Sequence, residues 1–390
     1  MNFVIEIKRS AQQPTSAEIV ASIDDILQQI LLGLPIKSLV RFKSVSKHWI
    51  SLISNPQFAI LHGHNPKPPL GLFLQDTSSL EYLHCDPHNP INPPLSTLEF
   101  IKDPTITGST RILQSCNGLL LCSSSQNYYV FNPTTKQFRT IPTPSPRRSI
   151  RGVGLAFDPV KSPVYKVVCI RDADLVPGSY QIEIYSSDNG CWRVSGQPFP
   201  ADHDFKHGVY CNGAINWLCN LRYDNFLYFN VDEERLGEMP PLYTAEYLSG
   251  DLEFFGESGG HLHLIEVYGL VEPVFTIHEM KRDYSGWFPK YEVDISAVAR
   301  MFPEMIQDED EYGLEYFQLS VLAVIREEKE EDAFVVLQIP GKAIRYNLVT
   351  KTFHKLCDFV DGAEEEERGS TRLRFDNFCG HHFIESLSCV

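Results

Sequence analysis

Residues 23–58 read IDDILQQILLGLPIKSLVRFKSVSKHWISLISNPQF and hold more large apolar side chains than so short a stretch can bury by itself. Asp24 and Asp25 suit the first turn of a helix, and Ser22 is its predicted N-cap. Gly33, together with the pre-proline residue that follows it, is expected to end this helix.

Two more helices are predicted in the same stretch. Pro35 is well placed to open a second, short helix, and Ser44 to cap a third, which Asn55 and Pro56 stop. Apolar residues nearly encircle the first helix, so part of this surface must pack on something else: Ile30, Leu31, Leu32 and Leu34. Two interpretations are open, a helical cap on the chain's own β-domain and a motif that docks a partner.

The core of this stretch, residues 34–49, reads LPIKSLVRFKSVSKHW and resembles the F-box of plant proteins, with its LP-x-K-S-L-x-R-x-x-x-V-S-K-x-W pattern. Many F-boxes carry a Leu-Pro just before the first helix; here Ile23 takes the place of that leucine. The resemblance implies a Skp-family adaptor as partner and, through it, a cullin in an SCF-type ubiquitin ligase. It also implies an adaptor-binding surface built or contacted by Ile30, Leu34, Pro35, Leu39, Val45 and Trp49.

The remaining chain is predicted to be β-structure. Each of three segments, 115–122, 210–218 and 257–264, places Asn-Gly or Gly-Gly before a short strand, which is a hairpin signal. Aromatic or aliphatic anchors recur at intervals near the roughly 40–50 residues of a propeller blade: Phe138, Trp192, Leu236, Trp287 and Phe353. About six such units fit residues 70–390 and favour a β-propeller, with a β-sandwich as the alternative.

This region is similar to the F-box-associated, kelch-like domain of plant proteins, on its Cys-Asn-Gly and Asn-Pro-Thr-Thr elements. The predicted organisation is a disordered lead-in over 1–18 and a small three-helix F-box over 19–60. A proline-rich linker over 61–95 merges into the first β-unit, and an all-β, substrate-binding domain follows over 96–390.

Composition limits the classes of partner. The net charge of −16 and the pI near 5.3 argue against nucleic acid and against an anionic membrane surface. No run reaches the length of a membrane span, and no signal peptide is visible at the start. The ten cysteines form no CxxC pair, which favours reduced, buried thiols and an intracellular location in the nucleus, the cytoplasm or both.

Catalytic and metal motifs are weak. Residues 379–382 (CGHH) lack a second ligand cluster, and the set His62, His64, His84, Cys85 and His88 lacks the paired spacing of a zinc site. Segment 186–192 nearly matches the Asp-box of sialidase-like propellers, but Asp-Asn-Gly as a turn explains it more simply. No P-loop, GxSxG or HExxH occurs. The acidic runs 308–311, 327–332 and 364–367 are expected to be solvated loops.

We therefore predict a non-catalytic substrate receptor that needs no cofactor or metal and that holds a target protein on its β-domain. One alternative is a β-propeller that binds or hydrolyses glycans and carries a helical cap. The other is an F-box scaffold that acts outside a ligase.

Overall fold

The computed structural model describes residues 15, 20, 23–63, 68–76, 79–86, 93–95, 97–98, 110–124, 127–144, 149–201, 205–218, 225–242, 251–267, 273–307, 316–327, 329–359 and 373–390. The predicted lead-in over 1–18 therefore lies almost wholly outside the described residues, as do the acidic runs 308–311 and 364–367.

Near the start of the described chain stand four short helices: α1 Asp24–Leu32, α2 Ile36–Phe42, α3 Lys47–Ile53 and α4 Pro56–His62. Ile23 is the N-cap of α1, and Ser22 lies outside the described residues. The prediction that Ser44 caps α3 is wrong, because Ser44 Oγ donates instead to the carbonyl of Arg41 at 2.7 Å. The cap is Ser46, whose side chain accepts the Trp49 N–H at 3.2 Å.

The fourth helix was not foreseen. Asn55 accepts the N–H of Gln57 at 2.8 Å, and Pro56 occupies the first helical position, where its missing N–H costs no hydrogen bond. The same Asn-Pro pair therefore ends α3 and begins α4. The helices share one apolar core: Leu27, Leu31, Ile36, Leu39, Ile53, Phe58 and, from the far end of the sequence, Leu387.

The rest of the described chain is mainly β-structure. The strands are β1 Gly71–Gln75, β2 Leu80–His84, β3 Arg111–Cys116, β4 Leu119–Ser124, β5 Asn127–Asn132, β6 Gln137–Ile141, β7 Ile150–Ala156, β8 Lys166–Asp172, β9 Ser179–Ser186, β10 Cys191–Pro200, β11 Val209–Cys211, β12 Ala214–Trp217, β13 Phe226–Asn230, β14 Arg235–Met239, β15 Asp251–Ser258, β16 His261–Val267, β17 Val274–Met280, β18 Trp287–Asp294, β19 Ile306–Gln307, β20 Tyr316–Phe317, β21 Ser320–Ile325, β22 Phe334–Ile339, β23 Lys342–Asn347, β24 Phe353–Asp358 and β25 Gly380–Phe383. Helix α5, Ser296–Met301, and the 3-10 turns Pro303–Met305 and Glu330–Asp332 lie between strands.

Six antiparallel sheets form the blades of a β-propeller. Five are four-stranded meanders, β3–β6, β7–β10, β11–β14, β15–β18 and β21–β24, and the sixth has the order β2-β1-β25. The first strand of each meander contacts the first strand of the next, so these strands surround a central axis. The predicted propeller of about six blades is confirmed, and the sandwich alternative falls away.

The sixth blade closes the ring by pairing the two ends of the β-domain. Strand β25 runs antiparallel to β1, with Gly71 opposite Phe383 and Leu74 opposite Gly380. This pairing uses the hydrogen-bonding edge that β1 would otherwise expose to other chains. Strands β1 and β2 belong to this sixth blade. The propeller therefore begins inside the segment 61–95, which was predicted to be a linker that merges into the first β-unit.

The predicted hairpin turns follow from backbone conformation. Asn117-Gly118, Asn212-Gly213 and Gly259-Gly260 all have positive φ at both central residues, between 45° and 88°. This is the geometry of a type I′ turn, whose twist matches that of the flanking strands.

The five predicted anchors fall at the first or second residue of the outermost strands β6, β10, β14, β18 and β24. Two of them repeat one contact between blades. Trp192 donates from Nε1 to the carbonyl of Pro142 at 2.7 Å, and Trp287 donates to that of Pro240 at 3.0 Å. Each proline directly follows the outermost strand of the preceding blade.

No described helix is both long enough and apolar enough to cross a bilayer. Among the described cysteines, all of them free thiols, six are buried: Cys85, Cys116, Cys122, Cys169, Cys211 and Cys379.

Candidate functional site

Helix α1 carries apolar residues on two faces. Leu27 and Leu31, spaced i and i+4, are 3% and 0% exposed and belong to the helical core. On the neighbouring stripe of the helix, Ile23, Ile26 and Ile30 are 42%, 44% and 50% exposed. Their i, i+3, i+7 spacing places them on one stripe of the helix. The apolar excess of the sequence is therefore divided between a core and a surface.

Helix α3 contributes to the same surface. Val45, just before it, is 58% exposed, and Ile50 within it is 45% exposed. His48 Nε2 lies 3.1 Å from the Asp24 carboxylate, which holds the start of α3 beside the start of α1. We call Ile23, Ile26, Ile30, Val45 and Ile50 the helical apolar face.

The other residues predicted for the adaptor surface have different environments. Leu39 is fully buried in the helical core, so its side chain packs against other core residues and is not part of the exposed surface. Trp49 is partly buried and lies edge-on to the Phe42 ring, with 5.3 Å between centroids. Leu34 is also partly buried, and its carbonyl lies 3.0 Å from His62 Nε2 in α4. Pro35, the N-cap of α2, is exposed.

Residues 384–390, which follow β25, connect the helical unit to the propeller. Leu387 is 4% exposed and packs in the helical core. Val390 packs against the core between the blades β3–β6 and β7–β10. Glu385 lies 4.0 Å from Lys37 of α2. We call this stretch the connecting segment. Periodicity gave no signal for it, since the contacts that join it to the two modules are remote in sequence.

Asn132, at the end of β5, anchors the connecting segment to the propeller. Its Nδ2 donates to the carbonyls of Ser386 and Ser388 at 3.0 and 2.8 Å. Its Oδ1 accepts the N–H groups of Thr134 and Thr135, which forms the turn before β6. Every hydrogen-bonding site of this fully buried side chain is therefore used, as a buried amide requires.

The two edges of the propeller differ. The connecting segment and the helical unit meet the edge formed by the turn between the first and second strands of each blade, such as Asn117-Gly118. Antiparallel topology places the turns between second and third strands, and the connections between blades, on the opposite edge. Several of the connections between blades are long in sequence: 85–110, 240–250, 295–319 and 359–379. We call this opposite side the loop edge.

One described loop on the loop edge exposes large apolar residues. Leu175 is 90% exposed and Val176 is 45% exposed, in the connection between β8 and β9. Loops held on a rigid scaffold are the usual place for recognition residues.

The structure bears on the two weak signals of the sequence, one for a metal site and one for a glycosidase site. Among the described residues, no group of three or more His, Cys, Asp or Glu side chains is arranged to hold a metal ion. The segment 186–192 is a turn with Gly190 at φ 70°, followed by the anchor Trp192. The simpler interpretation of the Asp-box-like segment is therefore confirmed.

A small helical unit with an exposed apolar face is joined to a six-bladed propeller, so the chain has two structural modules. Residues 24–61 match the F-box domain family and residues 85–258 match the F-box associated beta propeller domain family. The chain is 37% identical to F-box protein At5g07610 of Arabidopsis thaliana, over 96% of this chain and 94% of that protein. This chain belongs to the F-box proteins that carry an F-box-associated β-propeller domain.

Other relatives agree. F-box protein At5g49610 of the same plant is 29% identical over 72% of this chain and 81% of its own length. Further Arabidopsis relatives are named F-box/kelch-repeat proteins, in line with the kelch-like interpretation of the β-domain. Among solved structures, a chain of the mitotic checkpoint complex covers 67% of this chain and 80% of its own at TM-score 0.36 and 11% identity, too slight a likeness to support a conclusion.

Proposed function

We propose that this protein is the substrate-recognition subunit of an SCF-type E3 ubiquitin ligase. The helical apolar face docks a Skp-family adaptor and, through it, a cullin. The observation that carries this proposal is the stripe of Ile23, Ile26 and Ile30, at 42%, 44% and 50% exposure, on a helix whose other apolar face is already buried. Aliphatic side chains presented on a short helix suit insertion into a hydrophobic groove of a partner.

The six residues predicted for the adaptor surface then divide by role. Ile30, Pro35 and Val45 are exposed and contact the adaptor directly. Leu39 is buried and sets the position of α2, so it acts through the fold. Leu34 and Trp49 are partly buried and serve both purposes.

The target protein binds at the loop edge, which lies opposite the helical unit and carries the longest connections of the propeller. Leu175 and Val176 are the apolar contacts we assign to it among the described residues. The chain holds the target near an enzyme that belongs to another subunit, so its contribution is proximity and it has no catalytic residue or cofactor of its own. We place this work in the nucleus, the cytoplasm or both, where buried free thiols stay reduced. No nucleic acid or membrane takes part.

Adaptor binding is tested by co-purifying a Skp-family adaptor with the full chain. The double variant Ile26→Asp with Ile30→Asp changes only exposed positions and is expected to lose the adaptor while keeping its circular dichroism and melting temperature. Val349→Asp, at a 46% exposed residue of a propeller turn, is the matched control and keeps the adaptor. Retention of the adaptor by the double variant refutes the docking surface. Leu34→Ala with Pro35→Ala is less selective, because Leu34 also packs on the helical core.

The target edge is tested by proximity labelling in plant cells with the proteasome inhibited. Proteins that accumulate with the native chain and disappear with Leu175→Ser and Val176→Ser are the expected targets. An unchanged set of labelled proteins would show that this loop takes no part in recognition.

A further inference from the structure

A cavity of about 570 Å³ lies between the helical unit and the propeller. Ile36 and Ala59 line it from the helices, Pro159 and Val160 from the propeller, and Leu387 from the connecting segment. Its volume falls within the range of about 300–1,000 Å³ found for small-molecule sites. Both modules therefore contribute walls to one cavity.

A smaller cavity of about 110 Å³ lies on the propeller axis, bordered by residues of the innermost strands. Five residues line both cavities: Asn117, Tyr210, Glu257, His382 and Ile384. The point where the two spaces adjoin thus carries a carboxyl group, Glu257, at the end of the innermost strand β15.

The charges around the larger cavity are uneven. Its walls hold more carboxylates than cations: Asp158, Glu257, Glu327 and Glu385 against Lys161 and Arg326. Both cations have carboxylate partners, since Lys161 lies 3.6 Å from Asp158, and Arg326 lies 2.9 Å from Glu279 outside the cavity.

Two of the acids also have cations. Glu327 lies 3.3 Å from Arg345, and Glu385 lies 4.0 Å from Lys37. Glu257 differs from all the others. Its Oε1 accepts the N–H of Gly260 at 2.7 Å, and no cation of the described chain stabilises its charge. Burial raises the pKa of the Glu257 carboxyl above its ordinary value, because desolvation disfavours the charged form.

We propose that this cavity binds a small organic cation, a protonated amine that pairs with the Glu257 carboxylate. The apolar body of the ligand packs against Ile36, Ala59, Pro159 and Val160. An anion would face an excess of carboxylates, and a neutral ligand would give the charged form of Glu257 no electrostatic stabilisation. The inference is independent of adaptor binding, and its consequence is regulatory: an occupant that touches both modules stabilises their mutual arrangement.

The test is saturation-transfer NMR on the full chain with three probes of one shape: phenethylammonium, 2-phenylethanol and 3-phenylpropanoate. The ammonium is expected to bind in the millimolar range, at least about tenfold more tightly than the other two. Glu257→Gln keeps an oxygen for the Gly260 N–H and removes the charge, so it is expected to lose about tenfold in ammonium affinity. Glu385→Gln, on the same wall, is the matched control and keeps the affinity.

Ala59→Phe fills the cavity from the helical side and is expected to abolish binding without removing a charge. Ammonium binding that is equal in the native chain and in Glu257→Gln overturns the proposal, as does absence of ammonium binding to the native chain. A lysine side chain offered as Nα-acetyl-lysinamide distinguishes a protein ligand from a free amine. Tighter binding of that probe than of phenethylammonium would refute the small-molecule assignment.

Discussion

Asn132 Nδ2 donates to the carbonyl oxygen of Ser388 at 2.8 Å, and this bond joins the third strand of one blade to a segment that enters the core of the F-box. Leu387, the neighbour of Ser388, is the residue that enters that core. The stretch of seven residues, 384–390, therefore contacts both the helical unit and the propeller and helps to set the orientation of one on the other. In a substrate receptor, that orientation decides where a bound target stands relative to the adaptor.

Asn132→Ala tests this connection. Asn347 is the matched control, because its Oδ1 forms the same turn with Val349 and Thr350 but it has no contact with the connecting segment. Both variants lose a turn, yet only Asn132→Ala leaves the carbonyls of Ser386 and Ser388 unpaired. We expect it to cost about 2 kcal/mol more in free energy of unfolding. Urea titration measures the cost, and hydrogen exchange should rise at residues 386–388 in Asn132→Ala alone.

Gly118→Ala tests the same junction from the propeller side. Gly118 and Gly213 occupy equivalent type I′ turns, with φ of 88° and 82°. A Cβ at Gly118 would lie 2.5 Å from the Ser386 Cβ, whereas at Gly213 the nearest atom is Lys161 Nζ at 3.8 Å. Alanine is strained at both positions because φ is positive there. Gly118→Ala is expected to lose about 1–3 kcal/mol more in free energy of unfolding because of the clash with Ser386. Equal losses of the two variants in thermal unfolding would contradict the close contact between residue 118 and Ser386.

Ile30→Ala and Leu39→Ala separate adaptor contact from folding. Ile30 is 50% exposed, so its truncation should change the free energy of unfolding by less than about 0.5 kcal/mol while weakening adaptor binding. Leu39 is fully buried, and its truncation should cost about 2–5 kcal/mol. Calorimetric titration with the adaptor and urea unfolding give the two quantities. If Ile30→Ala binds as the native chain does, Ile30 is not part of the docking surface.

We expect the stability of the propeller to fall in acid because of His381, which lies on strand β25 of the closing blade. Burial, aided by the charges of His382 and His207, lowers the pKa of His381 from 6.5 to about 3. The folded state therefore binds fewer protons than the unfolded state, so stability present above pH 6.5 is lost as the pH falls toward 3. At pH 5 the loss from this residue is about 2 kcal/mol.

The measurement is the free energy of unfolding of His381→Gln and of the native chain between pH 7 and pH 5. The variant is expected to show a shallower slope. His354→Gln, at an exposed position of β24, is the control and should keep the native slope. Parallel slopes for His381→Gln and the native chain would contradict a buried, neutral His381.

Local patterns predicted much of the fold, because the relevant interactions lie within a few residues. Asn-Gly pairs form type I′ turns wherever the backbone needs two positive φ values, and the anchors Trp192 and Trp287 recur at the start of outermost strands. The ends of the helices were predicted from capping, glycine and proline residues, which are also local signals. The cap of α3 was mistaken because Ser44 and Ser46 are both capable caps, and the choice between them depends on where the chain turns after α2.

The two modules, the repeating blades and the excess of apolar residues in the first 60 positions all follow from the amino-acid sequence. Three features depend on tertiary packing: which apolar face of α1 is buried, how the ring closes through Gly71 and Phe383, and which groups the connecting segment contacts. The physical reason is visible in Asn132 and Asn347. The two residues make the same local turn. The Nδ2 of Asn347 donates to the carbonyl of Glu331 within its own blade, whereas the Nδ2 of Asn132 holds a segment from the far end of the sequence.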